Sequence, residues 1–354
     1  MNEVLSKIPN PLLDWYRRSA RILPWREEPT PYRVWVSEVM LQQTRVEAVK
    51  PYFERFLAEL PDVAALAAAP EAQILKLWEG LGYYNRVRNL QKGAREVMAR
   101  FGGVIPADFE ALRTLPGVGS YTAGAVASIA FGIPVPAVDG NVLRVTARLT
   151  GDPGDVSDSK VKRRVEDEIR AVIPADSAGA FNQALMELGA TVCLPNGAPK
   201  CDICPLAELC RGYAQGIAET LPVKAAKKPR RIEERTVFLL TCRGRLALRR
   251  RPDRGLLAGL WELPALPGTL DRDAAAAALA TWGIAAQPEP LPGAKHIFTH
   301  LEWHMCAWAA EAAAETPDFL WADREELSRD YTLPSAFRAY FGEIARRLGG
   351  ETER

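Results

Sequence analysis

The stretch from Leu112 to Leu149 constrains this chain more than any other. It reads as helix, tight hairpin, helix, then a short extended run ending in a carboxylate. Leu115-Pro116-Gly117-Val118-Gly119 supplies the turn: proline sets one φ, and the glycines allow backbone angles that a Cβ would block. Ser120 or Gly119 can cap the next helix, Tyr121 to Phe131, which is rich in small residues. Such a turn presents backbone N–H groups at a helix N-terminus, an arrangement that suits an anionic oxygen. Pro134-Val135-Pro136-Ala137-Val138 then runs extended, because each proline disfavours helix in the residue before it. Asp139-Gly140-Asn141 opens another helix, Val142 to Leu149. A phosphate cradle beside an acid suggests chemistry on a nucleic acid. Each half alone has a plainer reading: a Pro-Gly-x-Gly turn is usually only a turn, and an aspartate before a helix usually only an N-cap.

At 354 residues the chain is expected to hold two or three domains, and at 48% hydrophobic residues it can build cores. No run is long enough to span a membrane. Met1 to Asn10 lacks the apolar core of a signal peptide, so a cytoplasmic location and no membrane partner are expected. The net charge of +1 means that a nucleic-acid surface has to be a local patch. The histidines are His296, His300 and His304, so chemistry earlier in the chain must use carboxylates, Tyr, Ser, Lys or a metal cluster. Cys193, Cys201, Cys204 and Cys210 are spaced C-x7-C-x2-C-x5-C. In an unexported chain four clustered thiolates favour metal over disulfides, either zinc or an iron–sulfur cluster.

Leu12 to Ser19 reads as a first helix, and Leu23-Pro24-Trp25-Arg26 breaks it. Tyr32 to Val49 has helical periodicity and places Glu38 among Val34, Trp35, Val36, Val39, Met40 and Leu41. Desolvation there would raise its carboxyl pKa and let it hold a proton for delivery; a solvated surface glutamate is the bland reading. Short helices are expected over 51–60, 63–68 and 71–77. Trp78-Glu79-Gly80-Leu81-Gly82-Tyr83-Tyr84-Asn85-Arg86 mixes glycines, aromatics and a cation, with Arg88, Lys92 and Arg95 following on one helix face. That suits a wedge between bases with phosphate contacts around it, or equally a buried aromatic turn under a solvated basic helix. Helices are also expected over Ser159–Ile173, with a Ser cap, and Ala180–Thr191. Leu221 to Arg235, with Lys224, Lys227, Lys228, Arg230 and Arg231, reads as a basic interdomain linker or a plain solvated tether. From Thr236 strands begin: Val237–Leu240 and Leu246–Leu248, joined at Arg243-Gly244-Arg245. Asp271–Trp282 and Pro334–Leu348 read as helices. The three histidines at intervals of four are not read as a metal site, and Cys242 and Cys306 read as core residues.

Several of these motifs together resemble one family. Leu115–Gly119 with Asp139, Ser37-Glu38-Val39-Met40-Leu41-Gln42-Gln43-Thr44, Gly82-Tyr83-Tyr84, Phe181-Asn182-Gln183-Ala184-Leu185-Met186-Glu187 and the cysteine loop ending Cys204-Pro205-Leu206 are similar to the endonuclease III superfamily. The closest resemblance is to its MutY-type adenine DNA glycosylases. Gly259-Leu260-Trp261-Glu262-Leu263-Pro264 resembles a Nudix-type domain, and Phe298-Thr299-His300 resembles the adenine glycosylases' 8-oxoguanine-sensing Phe-Ser-His loop, with Thr in place of Ser.

The resemblance implies a multidomain protein: a mainly α helix-hairpin-helix glycosylase fold with an iron–sulfur loop, then an α+β Nudix-like domain. Its implied limits are 1–217 (a six-helix module near 30–135 and an iron–sulfur module of 1–29 plus 136–217), a linker at 218–234, and 235–354. It assigns catalysis to Glu38, Asp139 and Tyr121, and the adenine pocket to Arg26, Gln183 and Glu187. DNA contacts fall to Gln43, Leu81, Tyr83, Arg86, Gly117, Gly119, Phe298, Thr299 and His300. Cys193, Cys201, Cys204 and Cys210 would hold a 4Fe–4S cluster, although the first interval carries one residue more than the family's usual six. The implied substrate is duplex DNA with adenine opposite 8-oxoguanine or guanine, acted on by a monomer. Tyr121 stands where the lyase relatives carry lysine, and no lysine lies between Lys92 and Lys160, so a glycosylase without strand cleavage is expected. The helix after Pro267 offers only Asp271 and Asp273 where a Nudix hydrolase needs several glutamates, so recognition without hydrolysis is expected. The alternatives are a glycosylase/lyase for oxidised pyrimidines, a non-catalytic iron–sulfur DNA-binding protein, and a nucleotide hydrolase using the C-terminal domain.

Overall fold

The computed structural model describes residues 2–195, 197–225 and 229–349. Lys227 and Lys228 of the basic linker, and Asn196 in the turn before Cys201, lie outside the described residues. The chain divides into two compact units, residues 1–69 with 85–226, and residues 70–84 with 227–354. The second grouping departs from the sequence reading, which left 70–84 within the helical half.

The helical unit is built from amphipathic helices with local start and stop signals. The Glu38 helix, Pro31–Leu41, starts at Thr30, whose hydroxyl accepts the Arg33 N–H, with proline at the first turn. Tyr32, Val34, Trp35, Val36, Val39 and Met40 are buried, so this helix sits inside the unit rather than on it. Periodicity predicts one helix to Val49, but the chain breaks after Leu41 and restarts as Val46–Glu59. Gln43 at φ +59° is the cause, because a left-handed residue ends the ladder. The hairpin helices are Phe109–Arg113, capped by Asp108, and Ser120–Phe131, which Gly119 precedes and Gly132 ends in the left-handed conformation. Helix Ser159–Arg170 is capped by Asp158 rather than by the serine expected from sequence. Helices Pro9–Ser19, Gly140–Thr150 and Ala178–Thr191 share a further core through Leu12, Leu13, Val142, Val145, Phe181 and Leu185. Among the described residues no helix is long and apolar enough to cross a membrane.

Gly124 lets the second hairpin helix pack directly on the segment leading to Asp139. A Cβ there would lie 2.0 Å from the Pro136 carbonyl oxygen. Gly124→Ala would gain about 1 kcal/mol of helix propensity, yet it forces backbone against backbone, where overpacking typically costs roughly 1–3 kcal/mol or more. The expected result is a net loss, read as a Tm lower by several degrees in thermal denaturation. A Tm equal to or above wild type would show that the contact relaxes freely.

The second unit is a sheet covered on both faces. Its strands are β1 (Arg231–Cys242), β2 (Arg245–Arg250), β3 (Trp261–Glu262), β4 (Ala265–Pro267), β5 (Glu289–Ile297), β6 (Leu301–Glu311) and β7 (Leu320–Ala322). The order is β3-β2-β1-β6-β5, with β4 beside β1 and β7 beside β2. β1 runs parallel to β6, with Val237 opposite Ala307, while β1 and β2 form an antiparallel hairpin. That hairpin turns where sequence places it, with Arg243 at φ +48° and Gly244 at φ +76°. Alternation along β1 puts Val237 and Leu239 on one face, against Trp303, Phe337 and Tyr340. Phe238 and Leu240 face the other way, against Ala275 and Leu279 of helix Arg272–Thr281. Because β1 starts at Arg231, the last four residues of the expected linker are strand. The C-terminal helix begins as a 3-10 segment, Ser335–Tyr340, and becomes α only over Phe341–Arg347.

Candidate active site

One cavity of about 610 Å³ in the helical unit is lined by Glu38, Tyr121, Asp139, Arg26, Gln183 and Glu187, and also by Gln43, Gly117 and Gly119. Its size falls in the range of small-ligand sites. Residues separated by much of the chain therefore meet at one opening.

Glu38 is 5% exposed. Burial pushes its carboxyl up to about 7, with the nearby Asp139 charge adding to the rise and the Tyr121 hydrogen bond opposing it. Tyr121, in the first turn of its helix, donates its hydroxyl to Glu38 Oε2, and the Tyr121 hydroxyl oxygen lies 3.2 Å from Met186 Sδ. Asp139 caps helix Gly140–Thr150: Oδ1 accepts the N–H groups of Asn141 (2.9 Å) and Val142 (2.8 Å), and Oδ2 accepts Asn141 Nδ2 (2.6 Å). Burial raises the Asp139 carboxyl as well, but those three donors work against it. Asp139 thus accepts three donors where Glu38 accepts one. The N-cap reading of Asp139 and its placement in the cavity hold together.

The opposite wall carries a buried ion cluster. Glu187 is fully buried and accepts from Arg21 Nε (2.6 Å), Arg21 Nη2 (2.9 Å) and Arg26 Nη2 (2.9 Å). Burial alone would raise its carboxyl, but the guanidiniums outweigh that and hold it below the usual range. Both oxygens are thus occupied, and Glu187 presents Arg21 and Arg26 to the cavity. Sequence reasoning named Arg26 and Glu187 and missed Arg21; a second arginine two residues before Leu23-Pro24-Trp25-Arg26 was the available signal. Gln183 lines the cavity and donates Nε2 to the Gly179 carbonyl at 3.3 Å.

Arg86 and Leu81, which the resemblance assigns to DNA contacts, also make contacts within the protein. Arg86 Nη1 donates to the carbonyls of Val39 (2.8 Å), Met40 (2.9 Å) and Gln42 (2.6 Å), closing the C-terminus of the Glu38 helix. A guanidinium there satisfies orphan carbonyls and the negative end of the dipole, and it holds Gln43 outward in an exposed position. Leu81 is buried at 7% exposure, so its side chain is a core contact. Tyr83 has φ +48° and is 49% exposed, and its hydroxyl lies 3.0 Å from Thr299 Oγ1 within the C-terminal unit. Thr299 and His300 are exposed at the β5–β6 turn, which the Phe298 N–H closes onto the Leu301 carbonyl at 2.9 Å. Phe298 packs edge-on against Trp303 and His296. At the hairpin, Gly117 has φ +77° and a Cβ there would lie 2.7 Å from Asn89 Cβ, so glycine is required on both counts.

All four loop cysteines are free and line a common cavity with Arg148 and Leu149. Among the described residues no three His, Cys, Asp or Glu side chains are grouped as a metal-ion site. The donor set is nonetheless all sulfur, which suits zinc or an iron–sulfur cluster. Burial pushes the Cys204 thiol up to about 12 and raises Cys201 and Cys210 too. Thiolates in this pocket therefore need a cationic centre to stabilise them, which is the requirement a metal cluster meets. Arg148 Nη1 lies 3.3 Å from Cys193 Sγ, and Arg144 joins the Cys193 carbonyl (2.9 Å) to Asn141 Oδ1 (2.8 Å), beside Asp139.

A helix-hairpin-helix unit with paired acids in one cavity, followed by a Nudix-like sheet unit, defines a class of base excision DNA repair protein. A profile of the HhH-GPD superfamily base excision DNA repair proteins matches residues 36–171, and a NUDIX domain profile matches 236–343. Adenine DNA glycosylase of Rattus norvegicus is 36% identical over 93% of this chain and 77% of that protein. The Homo sapiens protein of the same name is 35% identical over 94% and 73%. A thermostable thymine-DNA glycosylase superposes with a TM-score of 0.56 at 28% identity, over 60% of this chain and 98% of that one. Endonuclease III in a non-covalent DNA complex gives 0.51 at 27% identity, over 60% and 98%. The chain belongs to the adenine DNA glycosylase family.

Proposed function

We propose that this protein hydrolyses the N-glycosidic bond of adenine paired with 8-oxoguanine or guanine in duplex DNA. The observation that carries the reading is the meeting of Glu38 and Asp139 at one cavity. The bond is inaccessible inside a duplex, so the nucleotide must be flipped out at a cost of a few kcal/mol. The hairpin N–H groups at Gly117 and Gly119 suit a phosphate, and Tyr83 and Gln43 suit wedges that offset this cost. Glu38, protonated near neutral pH by its burial, delivers a proton to adenine and makes it a neutral leaving group. Glu38, once ionised, then activates water. Asp139, as a carboxylate held by three donors, stabilises the cationic sugar, and Tyr121 holds Glu38 and lies close to the same centre. Paired carboxylates about an oxocarbenium-like centre are also the glycosidase solution. Arg21 and Arg26, fixed by Glu187, offer donors to the ring nitrogens of the base.

The Phe298-Thr299-His300 turn reads the base opposite adenine. Asp271, the acid that could have begun a metal-binding helix, is used as an N-cap, accepting the Ala274 N–H at 2.9 Å, and supports recognition without hydrolysis. Cys193, Cys201, Cys204 and Cys210 would hold a 4Fe–4S cluster, which would cross-link the loop as one rigid element. Freshly purified protein should contain iron and a broad visible absorption band, both lost in Cys204→Ser; colourless, iron-free protein with full activity would overturn the cluster assignment.

The functional test is single-turnover excision on duplexes carrying adenine opposite 8-oxoguanine and opposite guanine, beside hydrolysis of an oxidised nucleoside triphosphate. Adenine release without strand scission or borohydride trapping is expected, with no triphosphate hydrolysis. Absence of adenine release would refute the proposal, and efficient trapping would point to the lyase alternative.

A further inference from the structure

The arm of residues 70–84 groups with the C-terminal unit, and two of its side chains account for part of that attachment. Lys76 Nζ donates to the carbonyls of Leu327 (2.9 Å) and Tyr331 (3.3 Å). Leu327 belongs to helix Arg324–Arg329, whose terminal carbonyls favour a cation. Glu79 Oε1 accepts the Leu333 N–H at 2.7 Å, and its Oε2 lies 2.7 Å from Lys76 Nζ. Both side chains are about three-quarters buried, at 22% and 27% exposure, so solvent weakens these charge-assisted bonds little.

The bonded segment leads into the sheet core. Leu333, Phe337 and Trp303 share one cluster, and Phe298 stands edge-on to Trp303 at 4.8 Å between centroids. Phe298 begins the turn whose Thr299 hydroxyl meets Tyr83. The arm is therefore tied to this unit near its middle, at Lys76 and Glu79, and again at its tip, at Tyr83. A hydroxyl pair at 3.0 Å tolerates little displacement.

We propose that Lys76 and Glu79 form a clamp that sets the position of Tyr83 against the Phe298-Thr299-His300 turn, and so are positioning residues for reading the base opposite adenine. The inference rests on the 8-oxoguanine reading above. Neither residue lines the Glu38 cavity, so the clamp acts on discrimination rather than on proton transfer.

The test uses the full chain with its cluster, as wild type, Glu79→Ala, Glu79→Gln and Lys76→Met. Single-turnover excision rates and duplex affinities are measured opposite 8-oxoguanine and opposite guanine, with the active fraction titrated. Glu79→Ala and Lys76→Met should shrink the 8-oxoguanine-to-guanine ratio roughly tenfold, the loss expected for a charge-assisted bond. Glu79→Gln, which keeps an acceptor for the Leu333 N–H, should lose less. A variant that merely folds poorly lowers both arms together and leaves the ratio unmoved. An unchanged ratio in Glu79→Ala and Lys76→Met, against a wild type that discriminates, overturns the clamp. A wild type with no preference overturns the 8-oxoguanine reading itself, and the clamp with it.

Discussion

Glu38→Gln should lower the single-turnover rate of adenine excision by roughly 10²–10⁴-fold, the usual worth of a positioned proton-transfer group. Glutamine keeps an acceptor for the Tyr121 hydroxyl but carries no proton to give and cannot activate water. The wild-type rate should fall as pH rises past about 7, because the catalytically competent form of Glu38 is the protonated one. In the variant that limb should vanish from whatever rate remains. The same substitution should stabilise the fold at neutral pH. Burial raises the folded-state pKa of Glu38 above its ordinary 4.5, so the folded protein binds the proton more tightly than the unfolded chain. Its charge therefore destabilises the fold progressively between pH 4.5 and about 7, fully above that, and not at all below. Glu38→Gln should raise Tm at pH 8 and give no gain at pH 4. Near-normal excision by this variant would remove Glu38 from the mechanism, whatever its stability.

Asp139→Asn should cost excision roughly 10²–10³-fold, the scale of removing one preorganised electrostatic group from a developing charge. The cap should survive in part, since an asparagine oxygen can still accept the N–H groups of Asn141 and Val142. Its amide nitrogen, however, would face Asn141 Nδ2, donor against donor, and turning Asn141 over would break its bond to Arg144. Duplex binding measured with a non-cleavable adenine analogue should persist while the rate collapses. If binding and rate fall by the same factor, Asp139 is a cap and a fold element rather than a stabiliser of the sugar cation.

Much of the architecture was legible because its signals are local. The Gly117 turn, the helix beginning at Asp139, the hairpin at Arg243-Gly244 and the boundaries of the helices at 63–68 and 71–77 each depend on residues within one turn of one another. The strand at Val237–Leu240 is read in the same way, and the structure puts Val237 and Phe238 on its opposite faces. Where local reading failed, the causes lie in distant neighbours. Periodicity carried the Glu38 helix on to Val49, but a left-handed Gln43 ended it, with Arg86 closing the carbonyls from 44 to 47 residues away. Sequence also carried no sign that Arg86 closes the Glu38 helix or that the Leu81 side chain is buried.

Residue order alone determined which chemistry-bearing groups this protein owns: Glu38 and Asp139, Tyr121 at the start of a hairpin helix, four clustered thiols and an aromatic turn. It determined too the short-range geometry that presents them, since a turn or a cap is fixed by side chains acting on their own backbone. Only the tertiary structure decided who meets whom. Tyr121 reaches Glu38 across 83 residues, Arg21 reaches Glu187 across 166, and Glu79 reaches Leu333 across 254. Such pairings follow from how buried surfaces pack, and packing depends on the whole chain at once, which no stretch of it encodes alone.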